Sequence, residues 1–233
     1  IILVIALPIV AVFLVVKHDF GEDGSHKELT PTQEIVLPLC IGLGGAFYLG
    51  FESKILGALF FTLGLFTIVT RGFHLFTGRV GYLPGQGPDY AASLGITWLG
   101  NLVGTNLVAA LLGFTRLAPA FQEKAAALCA VKLNDSLLSL FVLSIFCNIL
   151  MYIAVDGFRS NPHEVGKYLG LFLCVAGFIL AGFEHCVANM FYFGMAGAWS
   201  LPALSKLLVM TAGNAVGGLA LPLCRWLLSA EKA

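Results

Sequence analysis

Long apolar stretches, parted by short polar turns, run through this chain from residue 35 to residue 228. A helix needs about 20 such residues to cross the hydrocarbon of a bilayer. Six stretches have this character: residues 35–51, 55–70, 91–115, 137–155, 168–199 and 207–228. Only 11% of the 233 residues are charged, against roughly a quarter in a soluble domain, so water-facing packing of these stretches is excluded. The 27 glycines suit membrane helices, where small residues let backbones approach closely. The polar–apolar alternation of a membrane β-barrel is absent from the sequence. The expectation is an all-α, polytopic membrane protein with six transmembrane helices, embedded in the lipid bilayer of a cell (inner) membrane. A formal net charge of zero gives no footing for nucleic acid.

Ahead of these stretches, residues 1–16 are apolar but broken by Pro8, and residues 17–33 carry Asp19, Glu22, Asp23, Lys27 and Glu28. Residues 1–34 therefore read as an apolar segment plus polar linker. The apolar part is the end of an extra span, an interfacial helix or a signal-type segment. The six cysteines are scattered without a C-x-x-C pair and read as small hydrophobes, not as a metal or disulfide framework.

An internal repeat organises the rest. Gly100-Asn101-Leu102-Val103-Gly104 recurs as Gly213-Asn214-Ala215-Val216-Gly217, His74 aligns with His185, and Cys40 aligns with Cys147, all at spacings of about 110 residues. Each repeat, 35–118 and 119–233, holds three stretches. An odd number of crossings inverts the second repeat relative to the first, a plan recurrent in transport proteins with interrupted helices at the midplane. Two interruptions stand at matching places, residues 74–79 and 182–190, where polar residues split apolar halves. Backbone broken at membrane depth is tolerated only inside protein or along a wet cavity.

Glu184 and His185 lie within the second interruption. An ionisable group there costs about 2.5–3.5 kcal/mol on insertion scales, which argues for function over a packing pair satisfied by its neighbours. Histidine suits proton handling at neutral pH. Lys132 and Asn148 are read 16 residues apart on the fourth stretch, as pathway residues or, alternatively, as a snorkelling lysine and interhelical glue.

The run Gly182-Phe183-Glu184-His185-Cys186-Val187-Ala188-Asn189-Met190 resembles the fifth-helix signature of the formate/nitrite transporter family. Leu75-Phe76-Thr77-Gly78 resembles the loop that interrupts the family's second helix. Trp98 to Gly104, Cys147-Asn148 and Gly213-Asn214 resemble its third-, fourth- and sixth-helix motifs. The resemblance implies an aquaporin-like fold with helices 2 and 5 interrupted, a homopentamer with one pore per protomer, and substrates such as formate, nitrite, hydrosulfide or lactate. It implies His185 as central histidine, Thr77 facing it, Lys132 in a vestibule and Asn148 in the pore, with Glu184 and Asn189 beside them. One hydrophobic constriction would use Phe61, Leu65 and Phe178, the other Leu75, Phe76 and Met151. His74 and Arg79 depart from the family, which usually has an acidic residue and often Asn at those positions.

This combination points to a non-enzymatic channel or transporter for small monovalent anions of weak acids, with proton involvement and without cofactor or metal. A bare anion is costly to desolvate in an apolar ring, whereas its neutral acid is not. The alternatives are an aquaporin-like neutral-solute channel, for which the paired Asn-Pro-Ala boxes are missing, a haem protein using His74 and His185, and a structural subunit.

Overall fold

The computed structural model describes residues 39–230; residues 1–34 and the start of the first apolar stretch lie outside them. The described residues form nine α-helices and one 3-10 turn. α1 (Leu39–Gly50) and α2 (Lys54–Arg71) pack as a hairpin around a hinge at Glu52, with the Ser53 hydroxyl accepting from the Leu56 N–H. A four-residue helix α3 (Phe76–Arg79) leads into the 3-10 turn (Val80–Tyr82). α4 (Pro88–Leu112) opens on a proline, whose missing N–H costs nothing in a first turn. α5 (Ala118–Asn134), α6 (Leu137–Ser160), α7 (Glu164–Leu180), α8 (Cys186–Met195) and α9 (Leu201–Ala230) complete the order.

Burial is inverted relative to a soluble protein. Leu138, Leu169, Leu173, Leu201 and Trp226 face outward, while Thr62, Asn101, Ser144, Asn148, Glu184, His185, Asn189 and Asn214 are enclosed. α2, α4, α6 and α9 are long and apolar enough to cross a bilayer by length and composition. α9 runs along α6 at close range because Gly213 and Gly217 have no side chain. A Cβ at either would collide with the carbonyl oxygen of Phe141 or Ile145.

One sequence expectation is corrected. Residues 118–134, between the third and fourth apolar stretches, hold a helix of their own, α5, so Lys132, in its last turn, and Asn148, on α6, do not share a helix. The break between them has a local cause. Ser136 caps α6 by accepting from the Ser139 N–H at 3.1 Å, and Asp135 accepts from the Ser139 hydroxyl at 2.7 Å. Such side chains offer the backbone a better partner outside the helix than within it.

The two interruptions are built alike. α2 ends at Gly72 (φ 70°), and the Phe73 N–H returns to the Ile68 carbonyl at 2.8 Å. α7 gives way at Gly182 (φ 74°), and the Phe183 N–H returns to the Phe178 carbonyl at 2.9 Å. Glycine is the residue that enters this left-handed conformation freely, and the closing bond is that of a Schellman cap.

Candidate functional site

Breaking a helix orphans backbone groups, and two asparagines take them up. Asn101 on α4 accepts the Phe76 N–H through Oδ1 at 2.9 Å. Asn214 on α9 accepts the Cys186 N–H at 2.8 Å, and its Nδ2 donates to the carbonyls of Ser144 and Glu184, each at 2.8 Å. Asn148 in turn donates to the Asn214 carbonyl at 2.7 Å. Phe76 and Cys186 each open a half-helix with an N–H taken up by an asparagine, so by backbone position Leu75, not His74, stands where His185 does, just before its half-helix.

Where the halves meet, Thr77 Oγ1 and His185 Nε2 lie 2.9 Å apart, both buried. The tautomer follows from the other ring nitrogen. His185 is the N-cap of α8, and its Nδ1 accepts from the Ala188 N–H at 3.1 Å. An acceptor nitrogen carries no proton, so the neutral ring holds its hydrogen on Nε2 and donates it to Thr77. A doubly protonated ring would set a donor against the Ala188 donor. The Phe178 ring stacks on the imidazole (centroids 5.6 Å, 14° apart) and meets Phe61 edge-on at 6.4 Å.

Beside this junction lies a cavity of about 90 Å³ lined by Phe61, Lys132, Phe178, Glu184, His185 and Asn189, with Tyr48 and Tyr192 among its walls. Glu184 does not pair with His185, its neighbour in sequence. Lys132 Nζ donates to both its carboxylate oxygens, at 2.8 and 2.7 Å, and Asn189 Nδ2 adds a bond to Oε2 at 2.7 Å. Lys132 therefore reaches the site as the partner of a carboxylate. Lysine and carboxylate are 13% and 6% exposed, enough enclosure to make each depend on the other.

The structure thus brings together His185, Thr77, Glu184, Lys132, Asn189, Phe61 and Phe178. Leu65 is buried on α2, one turn after Phe61; Leu75, Phe76 and Met151 are buried too, Met151 three residues after Asn148 on α6. Two residues that mattered here were noticed only as repeat markers, Asn101 and Asn214. Their recurrence was visible, but their work as helix-end clamps is a matter of contacts across 25 and 28 residues. The tyrosines of the cavity wall carry no sequence signal. Among the described residues, no group of three or more His, Cys, Asp or Glu side chains is arranged to hold a metal ion.

Residues 38–227 match the formate/nitrite transporter family. The chain belongs to that family. As such it is an integral, multi-pass membrane protein of a family of channels and transporters. It is 32% identical over 198 residues to a probable formate transporter of Methanothermobacter thermautotrophicus, with 72% of each chain covered. It is 30% identical to the nitrite transporter NirC of Salmonella typhimurium, over 70% of this chain and 66% of the relative. Among solved structures it is similar to a pentameric formate channel with formate bound, with TM-score 0.70, 27% identity, and 86% of this chain and 98% of that one covered. A second solved chain, described as an FNT family ion channel, shares the fold at TM-score 0.73 and 24% identity, over 97% and 96%.

Proposed function

We propose that this chain carries small monovalent anions of weak acids, formate, nitrite or hydrosulfide, through a pathway within each protomer. The observation that carries the reading is the buried Thr77–His185 hydrogen bond where two interrupted segments meet, next to a cavity that holds a lysine. Family membership and the likeness to a formate channel support it. We read six spans in two inverted repeats, 35–118 and 119–233. The matching caps at Gly72 and Gly182 and the matching clamps Asn101 and Asn214 support that division. The pentameric state of the structural relative supports a homopentamer here. A cell (inner) membrane is the proposed location.

In this reading an anion enters the cavity beside the Lys132–Glu184 pair, where the ammonium lowers the cost of removing its water. Phe61, Leu65 and Phe178 form one constriction and Leu75, Phe76 and Met151 the other. An apolar ring refuses a bare charge but passes a small neutral acid. The anion takes up one proton before the ring and returns it beyond, so one anion and one proton cross together. His185 is suited to that exchange because its neutral form presents Nε2–H to the Thr77 hydroxyl, and a carboxylate or nitrite oxygen can take that hydroxyl's place as the acceptor. Asn148 and Asn189, each with a buried carbonyl oxygen lacking a partner, offer polar contact along the way.

The test is flux of formate, nitrite, hydrosulfide and lactate into liposomes holding the purified protein, across a pH series. Uptake of at least one of the first three, rising as external pH falls and exceeding that of protein-free liposomes, is expected. Transport of glycerol or water without any of these anions would replace this reading with a neutral-solute channel.

A further inference from the structure

Most hydrogen-bond donors around the cavity are already engaged. Lys132 gives two of its three ammonium hydrogens to Glu184, and that carboxylate also matches its charge. Asn189 gives its two amide hydrogens to Glu184 and to the sulfur of Met210, at 2.7 and 3.1 Å. His185 holds its Nε2 hydrogen toward Thr77. The two tyrosines of the wall differ. The hydroxyls of Tyr48 and Tyr192 make no hydrogen bond to any described residue. Nor are they sealed in. Among the described residues, the enclosed side-chain polar atoms without a partner are Asn101 Nδ2, Asn148 Oδ1 and Asn189 Oδ1. Each tyrosine oxygen therefore keeps surface that a small molecule can touch. Tyr192 is only 7% exposed and lines the cavity, so its hydroxyl opens there.

We propose that Tyr192, with Tyr48 beside it, is a specificity-determining residue of this cavity, its hydroxyl donating to an oxyanion such as formate or nitrite and so favouring these over hydrosulfide. This rests on the reading of the cavity as the place where the anion enters. Both rings are held in place. Tyr192 on α8 and Tyr48 on α1 lie with centroids 6.3 Å apart, and Phe191 meets the Tyr192 ring edge-on at 5.7 Å. The Tyr48 ring lies across Gly57, where a Cβ would stand 3.1 Å from its Cδ2. A donor on a fixed ring binds without first losing much side-chain freedom. The cavity of about 90 Å³ has room for an anion of three heavy atoms, since one water needs about 10–15 Å³ of such space. An anion leaving bulk water must recover hydrogen bonds inside, and a charged oxygen accepts them more strongly than a neutral one. Formate and nitrite each carry two oxygens, one for a tyrosine and one for the third hydrogen of Lys132. Hydrosulfide offers a single sulfur, a weaker acceptor. It leaves a tyrosine donor poorly paired, and an enclosed donor left poorly paired is what rejects a substrate.

Formate uptake into liposomes tests this, with wild type, Tyr192→Phe and Tyr48→Phe compared at a pH where formate and hydrosulfide are both anions. Two quantities are read: the formate concentration that half-saturates uptake, and the hydrosulfide concentration that halves uptake of dilute formate. Competition reads hydrosulfide at the site itself, apart from any leak of hydrogen sulfide through lipid. Phenylalanine keeps the ring and removes the hydroxyl alone. In wild type, formate should half-saturate at a lower concentration than hydrosulfide needs to compete. Tyr192→Phe is expected to raise half-saturation by formate about tenfold, the low end for a hydrogen bond to a charged group. Its maximal rate and the hydrosulfide concentration should stay within about threefold of wild type. Tyr48→Phe should shift formate in the same direction by about threefold. A folded Tyr192→Phe with wild-type half-saturation overturns the inference. So does one in which formate and hydrosulfide weaken equally, which would make the tyrosine a shaper of the cavity. Should Tyr192→Phe yield no folded protein, the same ratio measured in Tyr48→Phe decides. Wild-type protein that binds hydrosulfide more tightly than formate overturns the inference and leaves the anion pathway standing, whereas wild-type liposomes without any anion flux remove the pathway itself.

Discussion

Replacing Asn214 by Ala should destabilise this protein far more than replacing its counterpart Asn101. The Asn214 amide holds three backbone groups at the second interruption: the Cys186 N–H and the carbonyls of Ser144 and Glu184. The Asn101 amide holds one, the Phe76 N–H, and its Nδ2 is buried without a partner. Leaving a buried polar group unsatisfied costs about 1–3 kcal/mol. Three neighbouring groups that relax together should then cost about 3–6 kcal/mol. At Asn101 the loss of one bond is partly offset by removal of the idle Nδ2, so about 1 kcal/mol is expected. The assay is thermal unfolding of detergent-purified protein followed by tryptophan fluorescence, with Asn214→Asp as a third arm. Asp keeps an acceptor for Cys186 but turns an oxygen toward two carbonyls, so it should resemble Ala. Equal losses at the two positions would refute the idea that Asn214 substitutes for missing helical hydrogen bonds.

Lys132→Met should cost about 3 kcal/mol by stranding the Glu184 carboxylate, and Lys132→Met combined with Glu184→Gln should recover most of it; thermal unfolding of both variants checks this, and no recovery would mean Lys132 acts by packing. Gly217→Ala drives a methyl into the Ile145 carbonyl and should cost about 1–3 kcal/mol, whereas Gly95→Ala, with open space around it, should be neutral or slightly stabilising in the same assay. At the hinge, the hydrogen bond from Lys124 and then its charge hold the Glu52 carboxyl below the ordinary carboxylate range. A lowered value contributes stability above the unfolded pKa of about 4.3 and loses it as pH falls through the folded value. Glu52→Gln should therefore melt slightly lower than wild type at pH 7, with the gap closed near pH 3.

The interruptions were legible because glycine and polar residues cut apolar runs at Gly72 and Gly182, and no other reading of such a run in a bilayer is physically comfortable. The recurring Gly-Asn pair was visible in the sequence, and its asparagines, Asn101 and Asn214, each take up a backbone N–H at a broken helix. The different backbone positions of His74 and His185 relative to those half-helices were not visible, because the two share a side chain. α5 was missed for a different reason. Its Ala-rich middle has no marked apolar face, and its charges look like a loop; Pro119 at its start and Asp135-Ser136 after its end were the available signals. The Lys132–Glu184 pair could not be read at all, since 52 residues separate two charges that each have plausible local roles.

The most direct measurement of the central claim is anion flux through His185→Asn in liposomes, over a pH series and with a permanently charged anion such as iodide alongside formate. Asparagine can still cap α8 through its side-chain oxygen but cannot titrate. A folded variant with a flattened pH profile for formate and a new leak to iodide is the expected result. A folded variant that keeps the wild-type formate rates, the wild-type pH profile and the exclusion of iodide would show His185 to be a structural cap alone.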